Sequence, residues 1–266
     1  MKAILMALLL ISFPAFFSML SKDKRVLFAS LSYHNCDFDG DGLGDLAVWH
    51  PETNTLFFQL TSDKKFYKRK FIDSSVKFNP VFADYDGDSK TDFAFFQPDT
   101  GYWHVYFSSN QGKFEKVFYG NKGDVPIPAN LSGDSNFQLS IWRPHTGAWL
   151  INKPNEETGE IEQWLHHQGA SEDSVCAFDY DGDKKSDLII WRPPEGYWFI
   201  DKSTTDYDSK KGEAIKHGKE WDVLVPNDFD NDGRCDLVVW RPEDETWYFK
   251  YAKSKKDHLI TFGSRG

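Results

Sequence analysis

The sequence predicts an all-β fold, a five-bladed β-propeller built from five four-stranded repeats of about 47 residues. Three observations carry that prediction. A nine-residue acidic loop recurs five times at even spacing, each copy runs into an apolar strand, and a Trp and a Pro follow at fixed distances. The loops are Asp37-Phe-Asp39-Gly-Asp41-Gly-Leu-Gly-Asp45, Asp84-Tyr-Asp86-Gly-Asp88-Ser-Lys-Thr-Asp92, the altered Asn130-Leu-Ser132-Gly-Asp134-Ser-Asn-Phe-Gln138, Asp179-Tyr-Asp181-Gly-Asp183-Lys-Lys-Ser-Asp187 and Asp228-Phe-Asp230-Asn-Asp232-Gly-Arg-Cys-Asp236. Their starts lie 47, 46, 49 and 49 residues apart. A period of this size belongs to a solenoid or a propeller.

Within each unit the elements follow in order. A first strand precedes the loop, at residues 81–83, 126–129 and 223–225 in the second, third and fifth units. The second strand follows it as Leu46-Ala-Val-Trp49, Phe93-Ala-Phe-Phe96, Leu139-Ser-Ile-Trp142, Leu188-Ile-Ile-Trp191 or Leu237-Val-Val-Trp240. Continuous apolar runs of this kind mark a buried strand. Pro51, Pro98, Pro144, Pro193 and Pro242 come two residues after the aromatic position, and Leu56, Trp103, Trp149, Trp198 and Trp247 five residues after the Pro. No insertion disturbs these positions, as a hairpin with a fixed turn demands. Turns at 98–101 and 144–147 lead to third strands such as 102–107 and 197–200, and edge-like fourth strands are expected at 66–72, 113–118, 161–165, 213–216 and 258–262. Gly120, Gly169 and Gly218, each ten residues before the next loop, mark the crossing between units. Four antiparallel strands repeated radially make a propeller blade. Residues before Asp37 supply blade one with its first strand, so blade five is expected to close against blade one, and residues 24–28 offer an extra strand there.

The loops also fix a chemistry. Oxygen donors at positions 1, 3, 5 and 9, with a backbone carbonyl expected at position 7, suit a hard cation that takes 6–8 oxygens, Ca2+ above all. An EF-hand would need a Glu at position 12 and flanking helices. Position 12 is instead Val48, Phe95, Ile141, Ile190 or Val239, within the strand. Position 4 is Gly40, Gly87, Gly133, Gly182 or Asn231, the residue types that most readily take a left-handed backbone around a small ion. In the third loop Asn130, Ser132 and Gln138 replace three carboxylates, so this loop is expected to keep its shape without a metal.

These units resemble FG-GAP/VCBS-type repeats, the blades of integrin alpha-subunit propellers and of many secreted bacterial proteins. The resemblance runs over residues 27–263 and rests on Asp-x-Asp-Gly-Asp-x-x-x-Asp followed by an apolar strand ending in Trp-Arg-Pro. It implies four Ca2+ ions. Their carboxylate ligands would be Asp37, Asp39, Asp41 and Asp45; Asp84, Asp86, Asp88 and Asp92; Asp179, Asp181, Asp183 and Asp187; and Asp228, Asp230, Asp232 and Asp236. The backbone carbonyls of Leu43, Lys90, Lys185 and Arg234 would complete the sets. Five repeats are fewer than the seven blades usual in integrins.

Residues 1–21 form a separate segment. Lys2 precedes an apolar run over residues 3–20, and Ser21-Lys-Asp-Lys-Arg25 follows, the pattern of a secretory signal. No clean small-x-small triplet stands near Ser18–Ser21, so the segment is read as a signal peptide or an uncleaved N-terminal anchor, with the propeller over residues 22–266. A secreted, periplasmic or cell-surface location is expected. Three cysteines, Cys36, Cys176 and Cys235, are too few for a disulfide framework, and ring closure leaves a Cys36–Cys235 bridge as one arrangement. The formal charge of −10 comes from the loops: of 41 acidic residues sixteen are Asp of the four fully acidic loops, leaving 25 against 31 basic residues. Charge therefore gives no reason to expect nucleic acid as a partner, or a membrane other than through the N-terminal segment.

No nucleophile elbow, zinc-binding helix or phosphate loop is present. The expected function is a calcium-stabilised binding or adhesion module for a protein or a glycan, with Ca2+ structural. The reading from a different class is a glycan-active hydrolase or lyase using carboxylates at the propeller channel. The recurring Trp-Arg-Pro and the recurring Asp124, Asp173 and Asp222 are expected to serve packing. Residues that break the repeat are the expected contact set: His50, Gln97, His166-His167, Trp221 and Asp206-Tyr-Asp208.

Overall fold

A computed structural model describes residues 27–28, 36–71, 76–109, 113–155 and 158–261. The segment expected to be a signal or anchor lies outside the described residues. Each unit is a sheet of four antiparallel strands hydrogen-bonded in chain order. Blade one comprises β1 (Leu27–Phe28), β2 (Leu46–His50), β3 (Thr55–Gln59) and β4 (Phe66–Lys70). Blade two is β5 (Asn79–Pro80), β6 (Phe93–Gln97), β7 (Tyr102–Tyr106) and β8 (Phe114–Phe118). Blade three is β9 (Val125–Pro126), β10 (Ser140–Arg143), β11 (Ala148–Pro154) and β12 (Ile161–His167). Blade four is β13 (Ser174–Phe178), β14 (Asp187–Arg192), β15 (Tyr197–Asp201) and β16 (Glu213–Lys216). Blade five is β17 (Val223–Leu224), β18 (Leu237–Arg241), β19 (Thr246–Lys250) and β20 (Asp257–Thr261). The architecture is a five-bladed β-propeller.

Register explains the fixed spacing of the aromatic positions. Trp49 faces Leu56, Phe96 faces Trp103, Trp142 faces Trp149, Trp191 faces Trp198 and Trp240 faces Trp247, each as direct cross-strand partners. The first four pairs sit in the cores formed between consecutive blades, while Trp240 and Trp247 are partly buried. Trp49 and Leu56 pack with Phe78, Phe82 and Phe95 of blade two, and Phe96 and Trp103 meet Ile141 of blade three. Trp142 and Trp149 pack against Val175 and Ile190 of blade four, while Trp191 and Trp198 meet Leu237 and Val239 of blade five. A Trp removes 150–250 Å² of surface from water, so a repeat that supplies one or two per interface holds neighbouring sheets face to face. The indole N–H groups are used too: Trp103, Trp149 and Trp198 donate to the carbonyls of Tyr119, Gln168 and His217, just before the crossing glycines.

The turn glycines have a steric reason. A Cβ on Gly101, Gly147 or Gly196 would lie 2.2, 2.5 or 2.3 Å from the carbonyl oxygen of Gly120, Gly169 or Gly218, so the hairpin turn and the crossing chain touch backbone to backbone.

The first strands differ from expectation in a way that proline accounts for. In blades two, three and five, pairing is confined to two residues, followed by isolated bridges Ala83–Asp92, Ala129–Gln138 and Asn227–Asp236. Pro80, Pro126, Pro128 and Pro226 interrupt these segments, and a proline donates no ladder hydrogen bond. Blade four has no proline there and forms a continuous five-residue strand, β13. Leu27–Phe28 pairs with Trp49 and Val48 and is therefore blade one's own first strand, not an additional one.

Candidate metal centres

Each loop wraps around the side chain of its own first residue. Oδ1 of Asp37 accepts from the N–H of Gly40 at 2.7 Å and Asp41 at 3.1 Å, and Oδ2 from Gly42 at 2.8 Å. Asp84 holds Gly87 and Ser89 likewise, Asp179 holds Gly182, Asp183 and Lys184, and Asp228 holds Asp232 and Gly233. The path requires two left-handed residues. Position 4 has φ of 78, 78, 80, 86 and 61° across the five loops, and position 6, occupied by Gly42, Ser89, Ser135, Lys184 and Gly233, has φ of 82, 68, 73, 72 and 84°. The second of these was not legible in the sequence, because Ser and Lys do not advertise a left-handed backbone.

Position 9 joins the loop to the sheet. Its Oδ2 accepts from the position-2 N–H: Phe38 to Asp45, Tyr85 to Asp92, Tyr180 to Asp187 and Phe229 to Asp236, at 2.8–3.0 Å. Its Oδ1 accepts from an N–H sixteen residues on, just past the third strand: Thr61, Ser108, Ser203 and Ala252, at 2.7–2.8 Å. Burial raises these acids, Asp92 and Asp236 to about 6 and Asp187 to about 7, with like-charged neighbours adding to it.

In four loops, positions 1, 3 and 9 each offer an oxygen within 4.8 Å of the others: Asp37, Asp39 and Asp45; Asp84, Asp86 and Asp92; Asp179, Asp181 and Asp187; Asp228, Asp230 and Asp236. The position-5 carboxylates Asp41, Asp88, Asp183 and Asp232 fall outside these triads and accept the N–H of Leu43, Lys90, Lys185 and Arg234 at 2.8–3.0 Å. All donors are hard oxygens, the set that suits Ca2+. Oδ1 of Asp181 is buried with no hydrogen-bond partner, a condition that a cation at the triad would relieve.

Residues 37–95, from the first acidic loop into the second strand of blade two, match the FG-GAP-like repeat family. The chain is a five-bladed propeller that carries an FG-GAP-like repeat. Its shape is shared with proteins of very different sequence. A catalytically inactive virginiamycin B lyase from Staphylococcus aureus is 9% identical with a TM-score of 0.51, over 90% of this chain and 74% of that one. An auxiliary nutrient binding protein from Bacteroides ovatus is 10% identical with a TM-score of 0.50, over 91% of this chain and 57% of that one. At such identities the likeness concerns fold alone. No curated protein matches the chain in sequence.

The third loop keeps the wrap and changes the chemistry. Asn130 Oδ1 still accepts from Gly133 N–H at 2.8 Å, and Gln138 Oε1 still accepts from the position-2 N–H, of Leu131, at 2.8 Å. The other end of Gln138 is a donor. Its Nε2 gives 2.6 Å to the carbonyl of Asn136, the position-7 oxygen, and reaches Ser132 Oγ at 3.4 Å. Sixteen residues on stands Pro154, which has no N–H to offer, so the side chain that would have received that N–H has a nitrogen instead of an oxygen.

Successive loops are linked around the axis. The position-8 N–H donates to the position-1 carbonyl of the preceding loop: Thr91 to Asp37, Phe137 to Asp84, Ser186 to Asn130 and Cys235 to Asp179, at 2.6–2.8 Å. All five loops line a cavity of about 520 Å³, with Asp37, Asp84, Asn130, Asp179 and Asp228 on its wall. The three cysteines are buried and none forms a disulfide, so Cys36 and Cys235 are not bridged.

Asp124, Asp173 and Asp222 are partners of the Arg in Trp-Arg-Pro. Each makes two hydrogen bonds, at 2.8–2.9 Å, to Arg143, Arg192 or Arg241, nineteen residues on. Where the Arg is replaced, by Gln97 in blade two, Phe78 stands in the acid's place. The repeat-breaking residues divide. Trp221 is 81% exposed and His167 is exposed. Tyr207 is buried, its OH on the carbonyl of Ser186, and His166 is held by Asp201 at 2.9 Å. Those two belong to the interface between blades three and four rather than to an open contact surface.

Proposed function

We propose that this FG-GAP propeller is a secreted or cell-surface calcium-binding protein that acts as a binding or adhesion module for a protein or a glycan. The observation that carries the calcium reading is the carboxylate triad repeated in four loops, with the orphaned Asp181 Oδ1 inside one of them. The ion would be held by positions 1, 3, 5 and 9 and by the carbonyls of Leu43, Lys90, Lys185 and Arg234. Ca2+ bound there supplies positive charge to carboxylates that burial and mutual repulsion disfavour. The chain's own part is structural: position 1 shapes the turn and position 9 fastens it to two strands.

A structural role agrees with how the cavity carboxylates are used. Asp37, Asp84, Asp179 and Asp228 each have both oxygens occupied by N–H groups of their own loop, which leaves them poorly placed for acid–base work. Fold does not decide between binder and enzyme, since propellers of this shape include both a lyase and a nutrient-binding protein. Trp221 and His167 are the proposed contact residues, a large apolar ring and an imidazole on open surface.

The test is a glycan and protein array probed with the full chain in calcium, beside a catalytic screen on polysaccharides and esters. Saturable binding that Trp221→Ala weakens at unchanged melting temperature is expected. Turnover abolished by one substitution that leaves the fold intact would overturn the binder reading.

A further inference from the structure

The four acidic loops are not supported equally. In blades one, two and four a pair of hydroxyl residues just past the third strand reaches back to the loop. Thr61 Oγ1 donates to Asp41 Oδ2 at 3.0 Å, Ser108 Oγ to Asp88 Oδ2 at 2.8 Å and Ser203 Oγ to Asp183 Oδ2 at 2.7 Å. The next residue does the same for position 3: Ser62 Oγ donates to Asp39 Oδ2, Ser109 Oγ to Asp86 Oδ2 and Thr204 Oγ1 to Asp181 Oδ2. The first residue of each pair also gives its backbone N–H to position 9. One dipeptide thus fixes three of the four carboxylates of a loop. In blade four this leaves Asp181 with Oδ2 tethered and Oδ1 buried and unpartnered.

Blade five has Ala252 and Lys253 at the same places. Ala252 keeps the N–H bond to Asp236 at 2.8 Å but has no hydroxyl for Asp232. Lys253 brings a positive charge that acts on Asp230. Asp230 is exposed, whereas Asp39, Asp86 and Asp181 are half-buried. An untethered carboxylate must lose side-chain freedom when it binds an ion, and a nearby ammonium competes for the same negative charge. Hydrogen bonds that orient ligating carboxylates are worth about 10–100-fold in metal affinity.

We infer that the dipeptides Thr61-Ser62, Ser108-Ser109 and Ser203-Thr204 are positioning residues for the calcium loops and that they grade the sites: loops one, two and four bind Ca2+ tightly, and loop five is the weak site. This rests on the calcium reading above and goes beyond it, because the acidic residues alone would make the four loops equal.

Calorimetric titration of the full chain with CaCl2 after chelator treatment tests it. Three sites should fill first and a fourth at roughly 10–100-fold higher calcium. Ala252→Ser combined with Lys253→Ser should move the fourth site toward the other three. Ser203→Ala combined with Thr204→Ala should shift one tight site to the weak class, with circular dichroism in calcium-free buffer confirming that the blades remain folded. Four sites of equal affinity in the wild type, or a weak site that the blade-five variant leaves in place, would overturn the grading alone. No calcium uptake at millimolar concentration would overturn the calcium reading and the grading with it.

Discussion

Loops three and four are neighbours, joined by the Ser186-to-Asn130 backbone bond, and they trace the same left-handed turns at positions 4 and 6. Asn130 and Asp179 hold the turn through equivalent bonds to Gly133 and Gly182. Their interiors differ. Loop four gathers Asp179, Asp181 and Asp187 around a space with one buried oxygen left without a partner, whereas loop three fills the corresponding place with the Gln138 amide nitrogen. The shape of this turn depends on hydrogen-bond acceptors, which a neutral Asn or Gln supplies as well as Asp does. The pull on a cation depends on gathered carboxylates, of which loop three keeps only Asp134. One loop therefore closes its position-9 side chain on its own backbone, although Asn136 Oδ1 beside it is also buried without a partner, and four carry the carboxylate triads proposed to take a cation.

Removing calcium is the harshest way to probe that difference. An ion bound only by the folded state contributes about 2.7 kcal/mol at 100 times its dissociation constant, so the three tight sites amount to about 8 kcal/mol before the weaker fourth, comparable with the whole stability of a domain. Excess chelator should lower the melting temperature by more than about 15 °C, read by circular dichroism.

Single substitutions separate the two kinds of loop. Gln138→Leu leaves the Leu131 N–H and the Asn136 carbonyl without partners and should cost about 2–4 kcal/mol, equally in calcium and in chelator. Asp181→Ala should cost about 2–3 kcal/mol in calcium and no more than about 1 kcal/mol in chelator, where it removes an unpaired buried oxygen together with the exposed hydrogen bond from Thr204. Denaturant unfolding in both buffers reads the four values.

The smallest expected effect is on pH. Burial raises Asp92, Asp187 and Asp236 above the ordinary aspartate value of 3.8, to about 6, 7 and 6. A carboxyl raised on folding binds more protons in the folded than in the unfolded state, so its contribution is full below about 4 and is lost as pH rises through 6–7. The ion-free protein should melt a few degrees higher at pH 5 than at pH 8. Calcium should reverse that order, because it binds the ionised form.

Much of this was legible in the sequence because the repeat keeps its register. The loop starts, the facing pair Trp142–Trp149 and the eroded third loop could all be read by counting. What escaped were relations between distant positions. Asp222 and Arg241 were visible as two recurring residues but not as one buried ion pair, and only the common spacing of nineteen, with joint loss in blade two, could have joined them. Thr61-Ser62 and its counterparts lay outside the loop pattern, although their distance from it is constant. Tyr207 departs from the repeat and was expected on a contact surface. Its segment instead folds through short 3-10 turns at 203–205 and 209–211 that lay the ring against Trp164 of the preceding blade, and nothing in a single chain's residue types distinguishes that from exposure.

The number of calcium ions per chain tests the central claim most directly. Equilibrium dialysis of the full chain at saturating calcium, followed by metal analysis, should give four, with Asn130→Asp, Ser132→Asp and Gln138→Asp together raising the count toward five. A wild-type count of five would contradict a third loop that lacks a cation site, and a count of zero would contradict the calcium account of the other four.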